Sequence, residues 1–283
     1  MASFTNFATL SYNGGTTNSN IVTGEILEAL TAVKTAVSAN YSAGDRITYA
    51  LSLVNTGTAA ITDYTVTDNL GGYTVGANTV YPLVYNAGTV RYYINGVLQT
   101  PPTVTAGPPL TVTGLTVPAG GNAVLIYETT ATSVAPLATG SSITNTATIT
   151  GGGLTTPISA QATVETANSA DLTISKALSP TTVTENGQIT YTFVISNTGN
   201  TEATATGNVV VTDTFAPILR NIAVTYNGTA WTEGTNYTYN AATGVFTTLA
   251  GQITVPAASF TQNTDGTFTV TPGTATLVIT GTV

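Results

Sequence analysis

Apolar and polar residues alternate with a period of two along much of this chain, and no long stretch carries the 3.6-residue period of an amphipathic helix. In the opening stretch Phe4, Asn6, Ala8, Leu10 and Tyr12 share one face, with Thr5, Phe7, Thr9 and Ser11 on the other. The alternation recurs in Leu30, Ala32, Lys34 and Ala36, in Tyr64, Val66, Asp68 and Leu70, and in Ile143, Asn145, Ala147 and Ile149. It returns in Leu172, Ile174, Lys176 and Leu178, and in Val209, Val211, Asp213 and Phe215. Turn residues interrupt these runs at short intervals, among them Asn13-Gly14-Gly15, Asn95-Gly96 and Asn227-Gly228. Short strands separated in this way predict an all-β chain folded as antiparallel sandwiches.

The pattern also repeats. Lys34 to Asn55 aligns without gaps on Lys176 to Asn197, a period of about 142 residues, which predicts tandem domains rather than a short-period solenoid. Both copies carry Ile-Thr-Tyr (Ile47 to Tyr49; Ile189 to Tyr191), Asn-Thr-Gly (Asn55 to Gly57; Asn197 to Gly199) and Val-Thr-Asp (Val66 to Asp68; Val211 to Asp213). Near the module ends, Asn122 to Tyr127 resembles Ala275 to Thr280. The expected fold is two tandem Ig-like antiparallel β-sandwich domains, residues 29–165 and 170–283, joined near Thr166 to Ala170 and preceded by an extended donor segment, residues 1–28. Glu25 to Leu30 reads as a linker.

A second similarity places the N-terminal segment. Ser3 to Glu25 echoes Ser142 to Glu165, with Ser3/Ser142, Thr5/Thr144, Asn6/Asn145, Ala8/Ala147 and Thr9/Thr148 identical. Past Tyr127, module one runs on through the hairpin containing Asn145; past Thr280, module two stops at Val283. The expectation is that module two lacks its closing strands, exposing unpaired backbone and an apolar groove. The N-terminal hairpin of a neighbouring copy would fill it, with donor contacts from Phe4, Asn6, Ala8, Leu10 and Tyr12. The acceptor edge is expected at Leu172, Ile174, Leu277 and Ile279. Strand addition of this kind is heterologous, propagates head to tail as a homopolymer, and would bury ~1,500 Å² or more per joint. The alternative is that both stretches are ordinary strands that match because Thr, Ser and Ala are common here.

Composition narrows the chemistry. Charged residues make up 6% of the chain, with 13 acidic against 5 basic and a net charge of −8. No basic patch is available to neutralise phosphates, so nucleic acid is not an expected partner. There is no cysteine or histidine, which removes disulfides, thiolate and imidazole catalysis and most transition-metal sites; no cofactor or metal is expected. Asp63 and Asp68 do not have calcium-loop spacing, and the Gly-rich runs lack a phosphate-loop context. No apolar run approaches 18 residues, so no membrane span is expected. The N-terminus has no basic and apolar leader pattern, which points to a removed leader or to release by another route.

The succession Lys, Ile-Thr-Tyr, Asn-Thr-Gly and Val-Thr-Asp (Asp68 followed by Asn69-Leu70) resembles a bacterial surface-protein repeat, the conserved-repeat domain of unknown function eleven. Asn145 to Thr148 looks like the closing Asn-Thr-Ala-Thr strand of that repeat. The resemblance implies an extracellular Ig-like β-sandwich without enzyme activity, on a cell or spore surface. With two modules rather than a long wall-anchored array, it suits a pilus-like fibre or spore-appendage subunit, with a cell- or spore-surface anchor protein as a further partner. The alternative function is a monomeric surface adhesin, with Trp231, Tyr237 and Tyr239 as candidate ligand-gripping aromatics.

The only two lysines, Lys34 and Lys176, are repeat equivalents on apolar faces. Each module therefore places a lysine and an aspartate inward, Lys34 with Asp68 and Lys176 with Asp213, and isolated buried charges of this kind require partners. Together with Asn145 the combination resembles the self-forming Lys–Asn isopeptide bonds of Gram-positive pilin and adhesin domains. The resemblance implies an intramolecular bond among Lys34, Asp68 and Asn145. Module two has no equivalent asparagine, so Asn6 of a neighbouring copy would complete an intersubunit site with Lys176 and Asp213. The alternative is a plain buried Lys–Asp pair, with the asparagine bonded to strand backbone.

Overall fold

The computed structural model describes residues 2–26 and 29–283. Its first element is a self-contained hairpin. Strand β1 (Ala2–Asn6) pairs with β4 (Val22–Ile26), and β2 (Thr9–Tyr12) with β3 (Gly15–Asn18), around a two-residue Asn13-Gly14 turn. None of these strands pairs outside the hairpin. Part of the expected linker, residues 27 and 28, lies outside the described residues; Glu25 and Ile26 belong to β4, and Leu30 opens the next strand.

The chain divides into two compact units, the hairpin falling with unit 1. Unit 1 takes the residues up to Ala135 together with Ser142–Glu165; unit 2 takes Pro136–Ser141 and Thr166–Val283. Sequence reading missed the short excursion of Pro136–Ser141 into unit 2. It is tied there by Asn200, whose Nδ2 donates to the carbonyl of Leu137, and by Thr139, whose Oγ1 donates to the carbonyl of Asn200.

Unit 1 is a sandwich of two antiparallel sheets, each of six strands. One sheet runs Val97–Leu98, Arg91–Ile94, β9 (Asn122–Ala131), β6 (Arg46–Asn55) and β5 (Leu30–Ala36), with Leu83–Tyr85 also on β9. The other runs Thr103–Thr105, β8 (Leu110–Val117), β7 (Ile61–Asp68), β10 (Ser142–Gly151), β11 (Ile158–Thr166) and Asn40–Tyr41. Alternate residues of both sheets point inward, which is why Ile47, Tyr49, Leu51 and Leu53 on β6 and Ile143, Ala147 and Ile149 on β10 are all buried. Asn95-Gly96 turns between strands with both residues at positive φ, as the sequence predicts for an Asn-Gly hairpin.

Unit 2 repeats this plan only in part. Its main sheet runs β12 (Leu172–Ser179), β13 (Gln188–Asn197), β17 (Gly273–Thr282), β15 (Arg220–Tyr226) and Thr229–Trp231. These correspond to β5, β6, β9, Arg91–Ile94 and Val97–Leu98. The facing sheet has three short strands: β14 (Thr212–Thr214), β16 (Val245–Thr248) and Tyr237–Asn240. Strand β14 corresponds to β7, but it pairs with β16 alone. Among the described residues, nothing in unit 2 corresponds to the β10–β11 hairpin. Ladder registers place Ala275 opposite Ile195 as Ala123 lies opposite Leu53, so the C-terminal match is one residue displaced from the alignment of Asn122 with Ala275.

The Asn-Thr-Gly motif proves to be structural. Asn55 is buried; its Nδ2 donates to the carbonyls of Ala59, Val117 and Pro118, and its Oδ1 accepts from the amide of Gly57. Asn197 does the same work in unit 2, donating to the carbonyls of Thr201 and Pro256 and accepting from the amides of Asp171 and Gly199. The motif ends in glycine because a Cβ at Gly199 would lie 2.2 Å from the carbonyl oxygen of Ser169. Buried backbone groups left unpaired are costly, so Asn197→Ala is expected to destabilise unit 2 by about 2–4 kcal/mol in urea denaturation.

Candidate functional site: two lysine–aspartate pairs

Strands β5, β7 and β10 bring the three candidate residues of unit 1 into its core. Lys34 sits on the inward face of β5, and its Nζ is 2.5 Å from an Oδ2 of Asp68 at the end of β7. Both side chains are fully buried, at 0% and 1% exposure. The carboxylate also accepts from the amide of Leu70 and from the hydroxyl of Tyr127. Lys34 Nζ stands 4.7 Å from the ring centre of Tyr49 and 5.8 Å from that of Tyr127, so the cation is lodged between aromatic faces. Burial pulls the Lys34 amine down to about 8, against the opposing attraction of Asp68.

Asn145 completes the cluster. Ala147 pairs with Asp68 across the ladder, so Asn145, two residues along β10, faces the same side as that carboxylate. Burial pushes the Tyr49 and Tyr127 phenols up, and the carboxamide, lying beside both hydroxyls, opposes that rise. Even so, Asn145 is fully buried and neither its Nδ2 nor its Oδ1 makes a hydrogen bond. The buried Lys34–Asp68 pair of the plainer alternative is present, but the backbone hydrogen bond expected of its asparagine is not. A buried carboxamide with both ends unpaired is costly and calls for an explanation.

Unit 2 builds the same pair in the open. Lys176 Nζ is 2.5 Å from Asp213 Oδ2 and 4.5 Å from the ring centre of Tyr191, the counterpart of Tyr49. Phe193 and Phe215 lie within reach of the same ammonium. Here, however, the lysine and aspartate side chains are 40% and 18% exposed. Beyond Leu172, which packs against the core, the inward face of β12 shares this condition: Ile174 and Leu178 are exposed where their counterparts Ala32 and Ala36 are half-buried. Val183 is 37% exposed where its counterpart Tyr41 is at 0%. The counterpart of Tyr127 is Ile279, so Asp213 lacks the tyrosine donor.

The acceptor residues need correction. Leu277 and Ile279 lie on β17, which is paired on both sides by β13 and β15, and both are fully buried; a central strand has no free backbone to offer. Leu172 and Ile174 do lie on an edge strand, since β12 pairs only with β13. The free edge equivalent to the one that β10 occupies in unit 1 belongs to β14.

The donor residues are exposed: Phe4 at 54%, Leu10 at 63% and Tyr12 at 60%, with Asn6 and Ala8 also in solvent. The hairpin pairs Ser3 with Glu25 and Asn6 with Val22; the internal hairpin pairs Ser142 with Glu165 and Asn145 with Ala162. The two ladders therefore share one register over this half. Beyond it they differ: Thr9 pairs with Asn18, leaving one extra residue on the returning strand, whereas β10 and β11 stay in step.

The remaining candidates fall away. Tyr237 is buried, Trp231 stacks on Tyr226 with ring centres 4.8 Å apart, and the Tyr239 hydroxyl donates to the carbonyl of Leu219, so all three suspected binding aromatics pack into the unit 2 core. Asp63 is exposed and turned away from the buried Asp68, and no group of three or more acidic, histidine or cysteine side chains converges among the described residues. No described helix is long and apolar enough to cross a membrane.

No family model matches the chain, the conserved-repeat domain included, and no curated protein sequence matches it. Among solved structures, the major pilin subunit of Bacillus cereus, in its D312A form, is similar at 14% identity and a TM-score of 0.40, over 96% of this chain and 73% of that one. The RrgB pilus backbone from Streptococcus pneumoniae is similar at 13% identity and a TM-score of 0.36, over 86% of this chain and 55% of that one. The collagen-binding subdomain of the Enterococcus faecalis surface protein ACE is similar at 9% identity and a TM-score of 0.30, over 49% of this chain and 99% of that one. At these identities and TM-scores none of the likenesses assigns a function.

The two pairs should respond differently to the same change. Asp68→Ala strands a fully buried lysine and is expected to cost unit 1 about 3–5 kcal/mol. Asp213→Ala in the unassembled chain is expected to cost unit 2 less than about 1 kcal/mol, because solvent already screens its pair. Denaturant titration of the two variants measures the contrast.

Proposed function

We propose that the chain is a structural subunit of an extracellular bacterial fibre, carried on a cell or spore surface. Each copy inserts its β1–β4 hairpin into unit 2 of the next. The observation that carries this reading is the uncovered inward face of β12, which unit 1 covers at the equivalent place with the β10–β11 hairpin. A spare hairpin with the same Ser-to-Glu and Asn register supplies the matching shape.

The apolar arithmetic favours docking. Phe4 and Leu10 replace Ile143 and Ile149 in the donor pattern, and Ile174, Leu178 and Val183 await cover in the acceptor. Burying such side chains contributes about 1.5–3 kcal/mol each, before the cost of association. The backbone edge of β14 gains a ladder at the same time.

Connectivity favours a second copy as the acceptor. Three residues separate Ile26 from Leu30, a reach of at most about 14 Å, so the hairpin stays beside the start of β5. In the same way β11 leads within five residues into β12. A hairpin that closes one unit and leads directly into the next can be repeated between copies, giving a heterologous, open-ended assembly. A lone adhesin is less well supported, because its suspected aromatics are core residues.

Deleting residues 1–25 is expected to abolish fibres in negative-stain electron microscopy while unit 2 stays folded. Full-length chain that stays monomeric, with residues 1–25 protected from protease, would refute exchange between copies.

A further inference from the structure

We infer that Lys176 of one copy forms an amide bond with Asn6 of another, by the reaction that Lys34, Asp68 and Asn145 are placed to run inside unit 1. The inference rests on the docking proposed above and adds a covalent step to it.

Its starting point is Asn145, a buried carboxamide with no hydrogen bond at either end. It shares the Tyr49–Tyr127 pocket with a desolvated lysine amine and a carboxylate. An amine, a carboxamide and an acid–base group in one dry enclosure are the reactants and catalyst for transamidation. Asp68 takes a proton from the Lys34 ammonium. The free amine pair on Nζ attacks Cγ of Asn145, the first proton returns from the carboxyl group to Nδ2 as the Cγ–Nδ2 bond breaks, and the second Nζ proton passes through Asp68 to the departing ammonia. One C–N bond forms, one breaks, and ammonia leaves; nothing is oxidised or reduced. The product amide also removes the puzzle of the unpaired carboxamide.

Unit 2 holds two of these three groups in the same relation. The Nζ to Oδ2 separation is 2.5 Å in both units, and Tyr191 repeats Tyr49 under the lysine. The third group is missing among the described residues of unit 2, and solvent reaches the lysine where the closing hairpin would lie. Asn6 occupies in the free hairpin the position that Asn145 occupies in β10, three residues after the serine that faces a glutamate. A hairpin docked in the register of β10–β11 therefore brings a carboxamide to Lys176, and its cover excludes the water that now surrounds the pair.

The experiment uses full-length fibres, boiled in SDS and run on a denaturing gel. The wild type is expected to give a ladder of covalent multimers. Lys176→Arg, which keeps the cation but cannot form the bond, is expected to form fibres by microscopy that melt to monomer, and Asn6→Ala is expected to give no covalent ladder. Digestion of the ladder should yield the Lys176 and Asn6 peptides joined, at their summed mass less one ammonia, about 17 Da. The Asn6→Ala chain should still weigh about 17 Da less than its sequence, from the bond inside unit 1; full mass there overturns the internal reaction. Wild-type fibres that melt to monomer overturn the intersubunit bond and leave docking standing. Absence of fibres overturns the docking itself, and a Lys176–Asn6 linkage in soluble monomer overturns exchange between copies.

Discussion

A β-sandwich is stable only when the inward face of each sheet is covered and the edge beside the core is paired. In unit 1 one hairpin meets both demands. Strand β10 pairs with β7, β11 extends the sheet, and the cover allows a lysine and an aspartate to sit in the core without water. Remove that hairpin and the consequences are those seen in unit 2: a half-length facing sheet, an open aliphatic face, and the same ion pair in contact with solvent. The burial of Lys34 and the exposure of Lys176 are two aspects of a single constraint.

Much of this was legible in the sequence because strands write their faces in every second residue. The phase of Lys34, Asp68 and Asn145 among Leu, Val, Ala and Ile was enough to place all three inside, and the repeat was enough to place Lys176 and Asp213 together. The Asn-Gly turns also announced themselves, since few other residues take two successive positive φ angles. Sheet order was not legible. Alternation says which way a side chain points but not which strands flank it, and for that reason Leu277 and Ile279 were assigned to an edge when β17 lies at a sheet centre.

Other features were hidden by the distance between partners. Tyr127 meets Asp68 across 59 residues, and only the tyrosine on an inward phase at the end of Asn122 to Tyr127 hinted at it. In the Asn-Thr-Gly motif each asparagine spends its carboxamide on loop backbone far along the chain, which the repeat alone does not reveal. Trp231, Tyr237 and Tyr239 show a bias: aromatic residues near turns attract functional interpretations, although their area makes them most useful as packing.

The alternation of β1 has one more consequence. A docked hairpin slipped by a single residue would turn Thr5 or Phe7 toward Lys176 instead of Asn6, and neither side chain carries a carboxamide. Under the proposed bond such a joint stays reversible, while only the aligned one is sealed. Chemistry at one asparagine would then act as proofreading, making permanence conditional on correct alignment.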